Sequence, residues 1–118
     1  MSRRVLSRPG AERQIGEQYA WIAADSPVAA EAFLRRVRET LDLIAEYPLI
    51  GKPWPFRGTV RPGLRYTHVR EDANRLIVYR SSKSTLAVVA LLHAARDLHG
   101  SGLLDDLGPE ILRRPRTG

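Results

Sequence analysis

No cysteine occurs in the 118-residue chain, which excludes a disulfide framework, a thiolate nucleophile and any cysteine-ligated metal site. Its three histidines, His68, His93 and His99, are too few and too scattered to suggest a metal cluster. No apolar run approaches the ~20 residues that span a bilayer, so no membrane partner is expected. The start, Met-Ser-Arg-Arg-Val-Leu-Ser-Arg-Pro, has the charges of a secretory leader without the apolar stretch behind them, so a cytoplasmic location is expected. Gly51, Gly58 and Gly63 match neither phosphate-loop fingerprint, and no serine sits in a nucleophile motif. No cofactor and no metal are therefore expected.

Arginine is what the chain has in excess. Lys and Arg number 19 against 13 Asp and Glu, a net charge of +6. Residues 1–47 balance, with Arg3, Arg4, Arg8, Arg13, Arg35, Arg36 and Arg38 set against seven acids. Residues 48–96 hold nine basic residues and only two acidic ones, Glu71 and Asp72, a local balance of +7. Seventeen of the 19 are Arg, whose planar fork suits phosphate and carboxylate. Charge alone leaves open nucleic acid, an acidic protein, and a solvated basic face that only aids solubility.

The length suits one domain with a single core, and 43% hydrophobic against 27% charged residues argues against wholesale disorder. Arg3–Leu6 reads as an edge strand. Ala11, Ile15, Tyr19 and Ile22 recur at helical spacing, predicting a helix over about 9–24, with Trp21 off its stripe. Ser26-Pro27 starts a second helix over 27–46, with the stripe Ala30, Phe33, Leu34, Val37, Leu41 and Ile44. Residues 48–63 carry four prolines and three glycines and read as a stiff loop, which Trp54 and Phe56 plug onto the core or present as an exposed aromatic contact. The period then becomes two. Strands are predicted at 64–69, 75–80 and 85–93, with Glu71–Asn74 and Ser81–Ser84 as turns. The fold class is α+β: an N-terminal edge strand and a helical hairpin packed on an antiparallel sheet of three to four strands. Phe33, Val37, Leu41, Ile44, Ile77, Val88 and Ala90 form the expected core.

Chemistry concentrates on the strands. Cleavage of RNA requires cations on the scissile phosphate, a base for the 2′-hydroxyl and an acid for the leaving oxygen. Arg65, Arg80, His93 and Tyr79 are the candidates for such a site. The alternative is structural: Arg65 pairing with a helix carboxylate and His93 acting as a hydrogen-bonding strand end.

Several phrases, in this order and spacing, resemble the ParE/RelE toxin superfamily of bacterial type II toxin–antitoxin systems. They are Ser26-Pro27-Val28-Ala29-Ala30-Glu31-Ala32-Phe33, Ile44-Ala45-Glu46-Tyr47-Pro48-Leu49-Ile50-Gly51-Lys52-Pro53, Arg61-Pro62-Gly63-Leu64-Arg65, Leu76-Ile77-Val78-Tyr79-Arg80 and Leu91-Leu92-His93-Ala94-Ala95-Arg96-Asp97. The likeness covers residues 3–98 and favours the ParE-like branch, so residues 1–98 are expected to form one toxin domain and 99–118 a C-terminal tail. It implies a toxin neutralised, in a hetero-oligomer, by an antitoxin with an acidic and apolar C-terminal segment. That segment would face Arg57, Arg61, Arg65, Arg70 and Arg80. It implies DNA gyrase as the target, bound without chemistry, with His93, Arg96, Asp97 and Leu98 as the contact. The alternative is a RelE-like endoribonuclease acting on mRNA at the ribosome, although the Lys-rich catalytic set of that branch is missing here. Direct nucleic-acid binding is the less favoured reading.

Overall fold

Proline and serine set the helix boundaries. Helix α1 (Pro9–Asp25) opens with Pro in its first turn, where the missing N–H would be unpaired anyway. Helix α2 (Pro27–Glu46) opens in the same way, and one residue, Ser26, serves both helices. Extended at φ −151°, Ser26 donates its N–H to the Ile22 carbonyl to close α1, and its Oγ accepts from the Ala29 N–H at 3.1 Å to open α2. Helix α2 ends at the non-helical Tyr47 because Pro48 follows, and a 3-10 turn occupies Pro48–Ile50. The structure, a computed structural model, describes residues 2–54 and 63–97.

Five strands form one sheet in the order β1-β5-β4-β3-β2: β1 (Arg4–Ser7), β2 (Lys52–Pro53), β3 (Arg65–Val69), β4 (Asp72–Ser81) and β5 (Thr85–His93). The sheet is thus mixed and five-stranded, where the sequence predicts three to four antiparallel strands. Strand β1 is an edge strand as expected. It runs parallel to β5, since the helical hairpin between them supplies the long crossover that a parallel pair requires. The other correction is β2, hidden in the proline-rich segment; Pro53 is tolerated because the strand lies at an edge. Strand β4 begins earlier than predicted. Asp72 already pairs with Val69 across the turn at Arg70 and Glu71, where Glu71 takes a left-handed φ of 60°.

The helices cover one face of the sheet. Phe33, Val37, Ile44 and Ala11 pack there against Val69, Ile77, Tyr79, Leu86, Val88 and Leu91. On the opposite face Tyr66, Leu76, Val78 and Ala94 make a second cluster, with Trp54 and Leu64 against it. A shift of register between Val78 and Tyr79 leaves Val89 extra on β5, so the buried residues fall at 86, 88 and 91 rather than strictly alternating. Five of the seven expected core residues are buried; Leu41, at the rim of α2, and Ala90, on the second face, are half-buried. Trp54 meets the Tyr66 ring edge-on at 5.7 Å, as the plug reading expects, while Phe56 lies outside the described residues.

Strand β1 ends opposite Val88, which leaves the outer edge of β5 bare beyond that point. Helix α1 closes it with two glutamines: the Leu91 N–H donates to Gln14 Oε1 at 3.0 Å, and Gln18 Nε2 donates to the Leu91 carbonyl at 3.3 Å. Two side chains thus do the work of a missing strand. Among the described residues no helix is long and apolar enough to cross a membrane.

Candidate functional site

The candidate residues fall at two ends of the β3–β4–β5 ladder. At one end Arg65 and Tyr79 are cross-strand neighbours on the helix-covered face. Tyr79 is 0% exposed. Its hydroxyl donates to the Pro48 carbonyl at 2.6 Å and accepts from the Gly51 N–H at 3.1 Å. Arg65 Nη1 donates to the Gly51 carbonyl at 2.7 Å. The two side chains therefore pin the segment that leads from α2 into β2. Glycine is required at position 51: a Cβ would run into the Tyr79 hydroxyl and lie 2.8 Å from the Tyr66 carbonyl oxygen. Burial raises the Tyr79 pKa, opposed by the Gly51 N–H and the Arg65 charge, so the phenol stays protonated and donating.

At the other end His93 stands opposite Arg75 and leads into the short helix α3 (Ala94–Asp97). The His93 N–H donates to Asp97 Oδ2 at 2.7 Å, and His93 Nδ1 accepts from the Arg96 N–H at 3.3 Å. This reciprocal arrangement has the logic of a capping box, with His in the place usually held by Ser or Thr. An accepting Nδ1 puts the proton of the neutral ring on Nε2. Burial lowers the His93 pKa, helped by the Arg75 and Arg96 charges and opposed by Asp97 and Asp72. Burial alone would raise the Asp97 pKa, but hydrogen bonds from the Arg96 side chain and the His93 N–H hold it below its usual value.

Arg75 is the member that the sequence reading missed. It donates to Asp72 Oδ2 at 2.6 Å and to Gln18 Oε1 at 2.7 Å, with its guanidinium 5.2 Å from the centre of the Phe33 ring. Two signals for it were present: Asp72 and Arg75 three apart at a hairpin, and Gln14 and Gln18 four apart beside the apolar stripe of α1.

The pairs Tyr79–Arg65 and Arg75–His93 lie four residues apart along β4, about 13 Å of strand. Arg80 points to the opposite face from Tyr79. The four residues considered for RNA cleavage are thus spread over two ends and two faces. Arg70 is exposed beyond β3, its N–H donating to Thr40 Oγ1 at 2.9 Å. Arg96 is exposed and pairs with Asp97. Arg57, Arg61 and Leu98 lie outside the described residues. Among the described residues no group of three or more His, Asp or Glu could hold a metal ion.

Comparison with known proteins gives matches of two kinds. The family model described as "ParE toxin of type II toxin-antitoxin system, parDE" matches residues 5–98. Among solved structures the fold is similar to a chain of the "Chromosomal ParDE TA system from P. aeruginosa". That likeness has a TM-score of 0.61 and 12% identity, and covers 78% of this chain and 96% of the other. No curated protein matches the chain in sequence.

Proposed function

Since this chain belongs to the ParE toxin family of type II toxin–antitoxin systems, we propose that it acts by binding DNA gyrase and not by cutting RNA. The cytoplasm, where the DNA lies, is the compartment this activity requires. The supporting observation is the separation of the acid–base candidates. The Tyr79 hydroxyl is spent on Pro48 and Gly51, and the His93 ring about 13 Å of strand away is spent on a helix cap. A general acid and base must reach one substrate together. The contact surface is His93, Arg96 and Asp97, where the ladder runs out, together with Leu98, the next residue in sequence.

The partner that silences the toxin is an antitoxin with an acidic and apolar segment that faces Arg57, Arg61, Arg65, Arg70 and Arg80 in a hetero-oligomer. Such charges set the association rate, while an apolar anchor sets residence. The rate of association should therefore fall as salt rises; a rate indifferent to salt removes the electrostatic part.

The deciding experiment has two readouts. Purified toxin should block supercoiling by purified gyrase, and its expression should cause filamentation and DNA damage without new mRNA ends. Tyr79→Phe and His93→Ala should retain much of the toxicity once corrected for folded protein, because losing one interface contact is graded. Loss of an acid–base group would instead cost on the order of a hundredfold or more. Codon-spaced mRNA cuts that vanish in His93→Ala would establish the ribonuclease.

A further inference from the structure

Folding rearranges the charge that the sequence divides into a neutral half and a basic half. Strand β1 comes from the neutral half but lies beside β5, within reach of the β4–β5 turn. Arg3 Nε donates to the Ser82 carbonyl at 2.6 Å, and the Arg4 N–H donates to the Ser84 carbonyl at 2.9 Å, which brings both residues to the turn that carries Lys83. Leu6 and Arg80 both stand opposite Ala87, so Arg80 lies on the same face of the sheet as Leu6 and Arg4. Arg3, Arg4 and Lys83 are gathered at one corner, and Arg80 lies on the same face two strands from β1, its stem beside Gly63. The two stretches that build it, residues 1–11 and 73–96, contain no Asp or Glu at all. Among the described residues Arg13, Arg36, Arg75 and Arg96 each have a carboxylate partner, and Arg3, Arg4, Arg80 and Lys83 have none.

We infer that this corner binds the phosphodiester backbone of duplex DNA, without reading its sequence. Charge of one sign fits any polyanion, and two further observations choose among them. A protein partner is held by apolar anchors, yet among the described residues the corner exposes a single large one, Leu6; the others exposed are Trp21 and Val28 at the hairpin tip, Leu43 on α2, and Tyr47, Leu49 and Ile50 after it. Single strands are held by stacking on aromatic rings, and the corner has no exposed ring among the described residues. What it offers instead is cations with the Ser84 hydroxyl and the mutually bonded Ser82–Thr85 hydroxyl pair close by, groups of the kind that contact phosphate. The inference goes beyond the gyrase reading and does not rest on it; of the four cations only Arg80 is shared with the surface proposed for the antitoxin.

The test is fluorescence anisotropy of a labelled duplex of about 20 base pairs with purified toxin, from about 50 to 200 mM salt. Micromolar binding is expected, with a slope of log affinity on log salt of roughly −3 to −4, four contacts at about −0.9 each. Arg4→Glu with Lys83→Glu should weaken binding at least tenfold and flatten the slope by about two. Arg35→Glu with Arg38→Glu, the same charge change on the outer side of α2, should leave the slope unchanged. Arg4→Gln with Lys83→Gln, a milder pair whose fold is checked by its melting curve, should also weaken binding, by less than the Glu pair. Equal loss in the α2 pair, no binding at 50 mM salt, or tighter binding of single-stranded DNA or polyglutamate would each overturn the proposal. Gyrase is absent from the assay, so its outcome is independent of the supercoiling result.

Discussion

Arg75 and Arg80 lie on the same strand, five positions apart, and meet opposite fates. Arg75 is enclosed: Asp72, Gln18 and the Phe33 ring take its charge, and its side chain is 14% exposed. Arg80 has no carboxylate partner among the described residues and faces the side of the sheet away from the helices. The first arginine joins β4 to α1 and α2. The second is available to a partner. Excess charge in a sequence therefore sorts, on folding, into cations that hold the fold and cations that remain for binding. Only the latter should be counted toward recognition.

The sharpest test of this division is to remove each arginine in turn. Arg75→Ala should cost about 2–3 kcal/mol, because it leaves the half-buried Asp72 and the buried Gln18 without the Arg75 donor. Arg80→Ala should change stability by no more than about 0.5 kcal/mol. Urea unfolding of the two variants measures both; equal costs would erase the distinction. The Tyr79 end offers a somewhat smaller effect. Tyr79→Phe should cost about 1–2 kcal/mol by orphaning the Pro48 carbonyl and the Gly51 N–H. Gly51→Ala should cost about 1–3 kcal/mol by overpacking against the same hydroxyl. Because the Tyr79 hydroxyl contributes to both penalties, while the clash with the Tyr66 carbonyl remains, the double variant should cost less than their sum, by about 0.5 kcal/mol or more.

The edge of β5 gives a milder effect of about 1 kcal/mol. Gln14→Ala should free the Leu91 N–H and speed its hydrogen exchange while the overall fold persists. Unchanged exchange at Leu91 would mean that the glutamines do not close the edge.

Much of this architecture was legible in the sequence, for physical reasons. Ser26, Pro27 and Pro48 act through local backbone sterics, so both helices lie within a residue of where they were predicted. Strand β5 was found because an apolar run bounded by turns needs no partner to be recognised. Three features were not legible. The pairing of β1 with β5 is non-local, and nothing in Arg4–Ser7 encodes its partner. Strand β2 is two residues long and contains proline, against every local strand signal. The bulge at Val89 breaks the period of two on which the core assignment relied, which is why Ala90 was expected inside. Among the candidate site residues, Arg65, Tyr79 and His93 were singled out by type. Their hydrogen-bond duties depend on contacts 14 to 31 residues away, or on the turn at α3, and so could not be read.

The His93 cap gives the smallest effect and the most direct view of a single group. Its folded pKa lies below the ordinary 6.5. The fold therefore prefers the neutral ring, and the stabilisation is complete above about pH 6.5 and lost as pH falls through the folded value. The chemistry gives the same sign: a protonated Nδ1 cannot accept from the Arg96 N–H, and the imidazolium is repelled by Arg75 and Arg96. Asp97 acts in the same direction at lower pH, since its pKa is held below 3.8. Acidification from pH 7 to 5 should therefore loosen α3 first and leave the Tyr79 end intact. A proton–nitrogen NMR titration should show the Arg96 amide shifting in step with the His93 ring, at a midpoint below 6.5, while the Gly51 amide stays put. A midpoint above 6.5, or Arg96 and Gly51 moving together, would show that the terminal turn is not held by the neutral ring.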